Sequence, residues 1–85
     1  ALTSAPEKKV INVHRDGVIT YRGENVSIKA LIEILVVARK EYEDLGVLVR
    51  GDADGPFQNV ATVLNACRIA GVPEMGISVR VDARR

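Results

Sequence analysis

A two-layer α+β sandwich, order β-β-α-β-α-β, with two helices packed on one face of a small mixed sheet, is the fold class this sequence predicts. Three observations carry it. Two β-branched runs, residues 9–14 and 18–22, flank Arg15-Asp16-Gly17. Apolar residues at helical spacing follow over residues 28–42. A strand–helix–strand unit then occupies residues 47–81, with its own start and stop signals. Right-handed crossovers leave both helices on one face when the strand order does not reverse between them, which makes two layers the simplest solution.

Residues 1–8 are small, polar and Pro-containing, the composition of a linker or lead-in; residues 9–82 form the domain and 83–85 a tail. The Asp16-Gly17 pair suits a type I′ hairpin turn, which requires positive φ at both central positions. Ile11 and Val13 share one face of the first strand, and Ile19 and Tyr21 one face of the second. Gly23-Glu24-Asn25 breaks the second strand. Ser27 then caps a helix, with Val26 and Leu31 as a hydrophobic staple. Ile28, Leu31, Leu35, Ala38 and Tyr42 make its core stripe, with Lys29, Glu33, Lys40, Glu43 and Asp44 on the wet side. Ile32, Ile34, Val36 and Val37 widen the apolar arc beyond one stripe, so part of it is expected against a neighbouring element or a second subunit. Gly46 is read as the positive-φ stop of this helix, and residues 47–49 as an interior strand. In the second helix Phe57, Val60, Leu64, Cys67 and Gly71 fall on one face, which places Leu64 in the core. The last strand alternates: Met75, Ile77, Val79 and Val81 point one way, Gly76, Ser78, Arg80 and Asp82 the other. One of its faces is therefore wet or reserved for a partner. The sheet face away from the helices is expected to carry Asn12, His14, Thr20 and Ser78.

Composition narrows the function. Twelve basic and eleven acidic residues leave a net charge of +1, which gives no electrostatic case for nucleic acid or an anionic membrane surface. One cysteine, Cys67, excludes an internal disulfide and a cysteine-rich zinc site. No run approaches the ~20 apolar residues of a membrane span; residues 30–38 come nearest and contain Glu33. As written, the chain is expected to be soluble.

Candidate chemistry is sparse. Gly51-Asp52-Ala53-Asp54-Gly55 has the look of a calcium loop, but its glycine comes too early and the closing glutamate is missing. Turn chemistry accounts for these acids better, with Asp54 just before a helix start. Arg50 beside Asp52 suits a local ion pair. Neither a dinucleotide fingerprint nor a P-loop lysine is present. His14 has no nucleophile or metal partner at a meaningful spacing and reads as structural or exposed. Cys67, on an apolar helix face, reads as a small core residue. Neither a catalytic centre, a metal site nor a cofactor is expected, and the reading is of a protein that is not an enzyme.

Taken together, several of these segments resemble the periplasmic domain of the ExbD/TolR biopolymer transport family. Arg50-Gly51-Asp52 is similar to the Arg-Ala-Asp that ends that domain's third strand. Ala70-Gly71-Val72 resembles the segment closing its second helix, and Met75-Gly76-Ile77 the start of its last strand. Asp16-Gly17 and Gly23-Glu24-Asn25-Val26-Ser27 match its hairpin and helix opening. The likeness spans residues 6–81. The chain departs at Gly51, where the family carries a small side chain, and at Asp54-Gly55-Pro56-Phe57. What the resemblance implies is energy transduction driven by the proton-motive force. It implies a single-pass inner-membrane protein whose membrane helix, with its proton-handling aspartate, precedes this periplasmic domain. It implies an ExbB/TolQ-type motor partner, a TonB/TolA-type transducer, a homodimer, and contact with peptidoglycan.

The residues expected to act are accordingly interaction residues. Ile77, Ser78, Val79, Arg80, Val81 and Asp82 form the candidate pairing strand, because an open edge offers unpaired amides and carbonyls. Arg50, Gly51, Asp52, Ala70 and Gly71 are family markers. Two other functions compete with this one. A ligand-sensing module of the ferredoxin-like or ACT type shares the alternation of strands and helices but lacks its hairpin-flanked ligand loop here. A nucleic-acid module of the KH type would need a basic Gly-x-x-Gly loop before a helix.

Overall fold

A computed structural model describes residues 7–81. The elements run β1 (Glu7–Val13), β2 (Ile19–Tyr21), β3 (Glu24–Asn25), α1 (Ile28–Glu41), β4 (Leu45–Asp52), α2 (Phe57–Ile69) and β5 (Glu74–Arg80). The sheet order is β3-β2-β1-β4-β5. β1, β4 and β5 are parallel, while β2 and β3 add antiparallel at one end. The order never reverses, so both crossovers lay their helices on the same face, as expected for the mixed α+β sandwich.

The parity of the strands sorts the residues into two faces. Ile11, Val13, Ile19, Val47 and Val49 are buried and form the helix-side layer. Leu31, Leu35 and Ala38 of α1 and Val60, Val63, Ala66 and Cys67 of α2 close over them. The opposite face is uncovered. There the register lines up Asn25, Thr20, Asn12, Arg50 and Ser78 in one row across all five strands. His14 joins this face through a 3.0 Å hydrogen bond between its Nε2 and Thr20 Oγ1.

Several local expectations are corrected. Asp16 does not take positive φ; only Gly17 does (φ 91°). Gly17 N donates to His14 O (2.9 Å) and His14 N to Val18 O (2.8 Å), which is a three-residue hairpin loop with Gly17 in the left-handed position. Asp16 serves instead through its carboxylate, which accepts from Val18 N at 3.1 Å. The turn with two positive φ values comes later, at Arg22 (φ 56°) and Gly23 (φ 82°). It folds Glu24 back onto Tyr21, so the break after β2 is itself a short strand.

Helix α1 starts as read, with Ser27 Oγ accepting from Ala30 N at 3.0 Å. It ends four residues before Gly46, at an extended Tyr42, and Gly46 lies inside β4. Helix α2 is capped at Pro56 without a side-chain bond, and Asp54 is drawn away to Arg15. Its buried face is also rotated from the expected one. Phe57 is 66% exposed and Leu64 only half-buried, while Val63, Ala66 and Ala70 are buried. Two alanines let the helix sit close to the sheet, which turns the larger side chains toward the rim.

Candidate interaction surface

The chain's most distinctive surface is the free edge of β5. β4 covers one side of this strand, and no described strand covers the other. Ala53 N donates to Arg80 O at 2.9 Å, so the backbone of Arg80 faces β4. Strand alternation then turns the amides and carbonyls of Met75, Ile77 and Val79 outward, without a strand partner among the described residues. The side chains of the same residues pair in register with Val47, Val49 and Gly51, on the helix side. They reach past the end of the helix layer and stay exposed: Ile77 by 50% and Val79 by 59%, continued by Val81 at 61%. Free backbone and an apolar row thus coincide on one edge. Ser78 and Arg80 point to the open face, beside Arg50 and Asp52. Asp82, the last residue of the expected pairing strand, lies outside the described residues.

The markers at the end of β4 hold this edge in place. A Cβ on Gly51 would fall 2.8 Å from Val60 Cγ2, so α2 rests directly on the glycine backbone. Arg50 is half-buried on the open face between Asn12 and Ser78. The expected Arg50–Asp52 pair is absent among the described residues. Asp52 is approached by Arg15 Nε at 3.9 Å, and Arg15 reaches Asp54 at 3.6 Å. The hairpin loop extends over the end of β4 and brings Arg15 there, whereas neighbours at i and i+2 run side by side along a strand. Asp52 Oδ1 also accepts from Asp54 N at 2.8 Å, and Gly55 N donates to Asp52 O at 2.9 Å. Both acids therefore serve the turn and Arg15. With Arg15 exposed, the pairs are surface pairs worth up to about 1 kcal/mol.

Ala70 and Gly71 end α2 in a Schellman arrangement. Gly71 (φ 86°) donates to Arg68 O at 3.0 Å, and Val72 N to Cys67 O at 3.1 Å. The Gly71 carbonyl then accepts from Arg39 Nε at 3.1 Å, tying α2 to α1. Burial pushes the Cys67 thiol up to about 11 and marks it as a core residue. Among the described residues no polar or charged side chain is buried, though Asn12 Oδ1 is covered and lacks a hydrogen-bond partner. Sequence reasoning missed one feature: β1 is only half covered on its β2 side. The signal was present in Arg22-Gly23, a dipeptide that reads as a break until its turn type is known.

No helix among the described residues is long and apolar enough to cross a membrane. Comparison with curated proteins finds no match. The family model described as biopolymer transport protein ExbD/TolR matches residues 2–82, nearly the whole chain and every element described above. The chain therefore belongs to the ExbD/TolR family of biopolymer transport proteins, components of energy transduction.

Proposed function

We propose that this chain is the periplasmic, partner-binding domain of a single-pass inner-membrane protein. In this reading, an ExbB/TolQ-type motor driven by the proton-motive force acts on a membrane helix upstream of residue 1. The segment ahead of β1 carries the movement into the domain, whose first strand opens at Glu7 and not at residue 9 as the composition suggests. The domain works as a homodimer that engages a TonB/TolA-type transducer. The observation that supports it is the β5 edge, where outward amides and carbonyls coincide with the exposed row Met75, Ile77 and Val79. Two copies related by a twofold axis pair such an edge antiparallel, which satisfies the backbone and covers the apolar row in one step. The polar row Thr20, Asn12, Arg50 and Ser78 offers the hydroxyl, amide and guanidinium groups suited to cell-wall glycan.

The test is Val79→Pro. The Val79 amide faces outward, so proline removes a donor from the free edge and leaves the β4–β5 ladder intact. Sedimentation velocity on the wild type is expected to show a dimer that the variant loses, with unchanged far-UV circular dichroism. A variant that dimerises and binds its transducer like the wild type refutes strand pairing through β5.

A further inference from the structure

β1 pairs with β4 over residues 7–12, but with β2 only over residues 11–13. Among the described residues the sheet therefore has a notch beside residues 7–10. The His14 N–Val18 O bond sets the parity of β1, so the backbones of Lys8 and Val10 point toward the missing neighbour. The left-handed pair Arg22 and Gly23 is what ends β2 there. Continued straight, β2 would have filled the notch.

A groove of about 440 Å³ opens under the notch on the helix side. Tyr21, Ile34 and Val37 supply its apolar surface, and Val37 is 59% exposed. Lys9 and Arg22 flank the Tyr21 ring, 5.7 and 6.0 Å from its centroid. Lys9 is already held by Glu7 at 3.5 Å, whereas Arg22 has no ion-pair partner among the described residues. Glu33 and Glu41 stand on the helix wall.

We infer that this notch docks an extended segment of a different polypeptide, in register with residues 7–10. The segment carries an apolar side chain facing Tyr21 and Val37 and an acidic residue beside Arg22. The main-chain groups of Lys8 and Val10, unpaired among the described residues, are satisfied by an extended backbone, and strand addition supplies it. A second copy fits poorly. Notch against notch would oppose two Lys8-Lys9 pairs, and notch against β5 is a head-to-tail contact that builds a ring or a filament and uses up the β5 edge. This site lies away from the β5 edge, so its fate is separable from dimerisation there.

The experiment is amide hydrogen exchange and 1H–15N chemical-shift mapping on the 85-residue chain. The probe is the blocked peptide Asp-Val-Thr-Val-Thr at millimolar concentration, with a Lys-for-Asp version and a version with prolines for the valines. The acidic peptide is expected to slow exchange at Lys8 and Val10 by about tenfold or more. The Lys version should bind more weakly and the proline version not at all. Val37→Lys, at an exposed position, and Val10→Pro, which removes an outward amide, should each abolish the effect while Val79→Pro leaves it intact. Absence of protection with every peptide overturns the proposal. So does protection that appears only along β5, or concentration-dependent protection of Lys8 and Val10 without peptide, which would make a second copy the occupant.

Discussion

Gly51 sits where α2 presses on the sheet, and its missing side chain makes that contact. A methyl there would need Val60 Cγ2, 2.8 Å from the Cβ position, to move within a packed layer. Gly51→Ala is accordingly expected to cost about 1–3 kcal/mol in urea unfolding. Adding Val60→Ala should return part of that loss, because the two changes share one contact. Cys67 makes a second residue-scale prediction. Burial raises its thiol from 9.0 to about 11. Folded and unfolded chains both hold the proton below pH 9, so the contribution to stability is complete there. Between pH 9 and 11 the unfolded thiol ionises first, and up to about 3 kcal/mol is lost as pH rises. The melting temperature of the wild type should fall more steeply across that window than that of Cys67→Ala. Equal slopes would show that the thiol is not desolvated.

At the scale of elements, the two helices differ in how much of their pattern was legible. α1 carries large apolar side chains through most of its core stripe, so its spacing marks Leu31, Leu35 and, between Leu35 and Tyr42, Ala38, and the structure buries all three. α2 offers Phe57, Leu64 and Ile69 as large apolar residues, yet its buried face includes Val63, Ala66 and Ala70. Periodicity weighs residues by size and hydrophobicity, whereas close packing on a sheet selects small ones. Leu35→Ala should therefore cost about 2–5 kcal/mol, as for a fully buried leucine. Leu64→Ala should cost distinctly less, since its side chain is only partly buried at the edge of the core. A denaturation midpoint lower for Leu64→Ala than for Leu35→Ala would place α2 in the wrong rotation.

For the whole molecule, the asymmetry of the sheet matters more than its composition. One end closes on a short hairpin, β2–β3, while the other stops at β5 with its apolar row uncovered. If β5 is the pairing edge, association adds to folding by mass action. The melting temperature should then rise with protein concentration in the wild type and be independent of it in Val79→Pro. A concentration-independent wild type would separate the exposed edge from dimerisation.

Local chemistry was enough for much of this. Ser27 must cap, because its hydroxyl meets free amides wherever a helix starts. Gly71 must stop α2, because few other residues take its φ. Alternation in β5 declares one apolar and one polar side in any fold. These features depend on neighbours within four or five residues, and so the sequence by itself determined both helices and the four longer strands and pointed to the family, while the short β3 stayed hidden in what reads as a break. Contacts between distant segments were decided only in three dimensions. Arg15 takes Asp52 from Arg50 because the hairpin folds over β4. Met75, Ile77 and Val79 stay exposed because the helix layer ends before the sheet does. The notch exists because Arg22 and Gly23 turn the chain away where β1 continues. In each case two segments far apart in sequence compete for the same space, and the energy of that competition is set by packing, not by local preference.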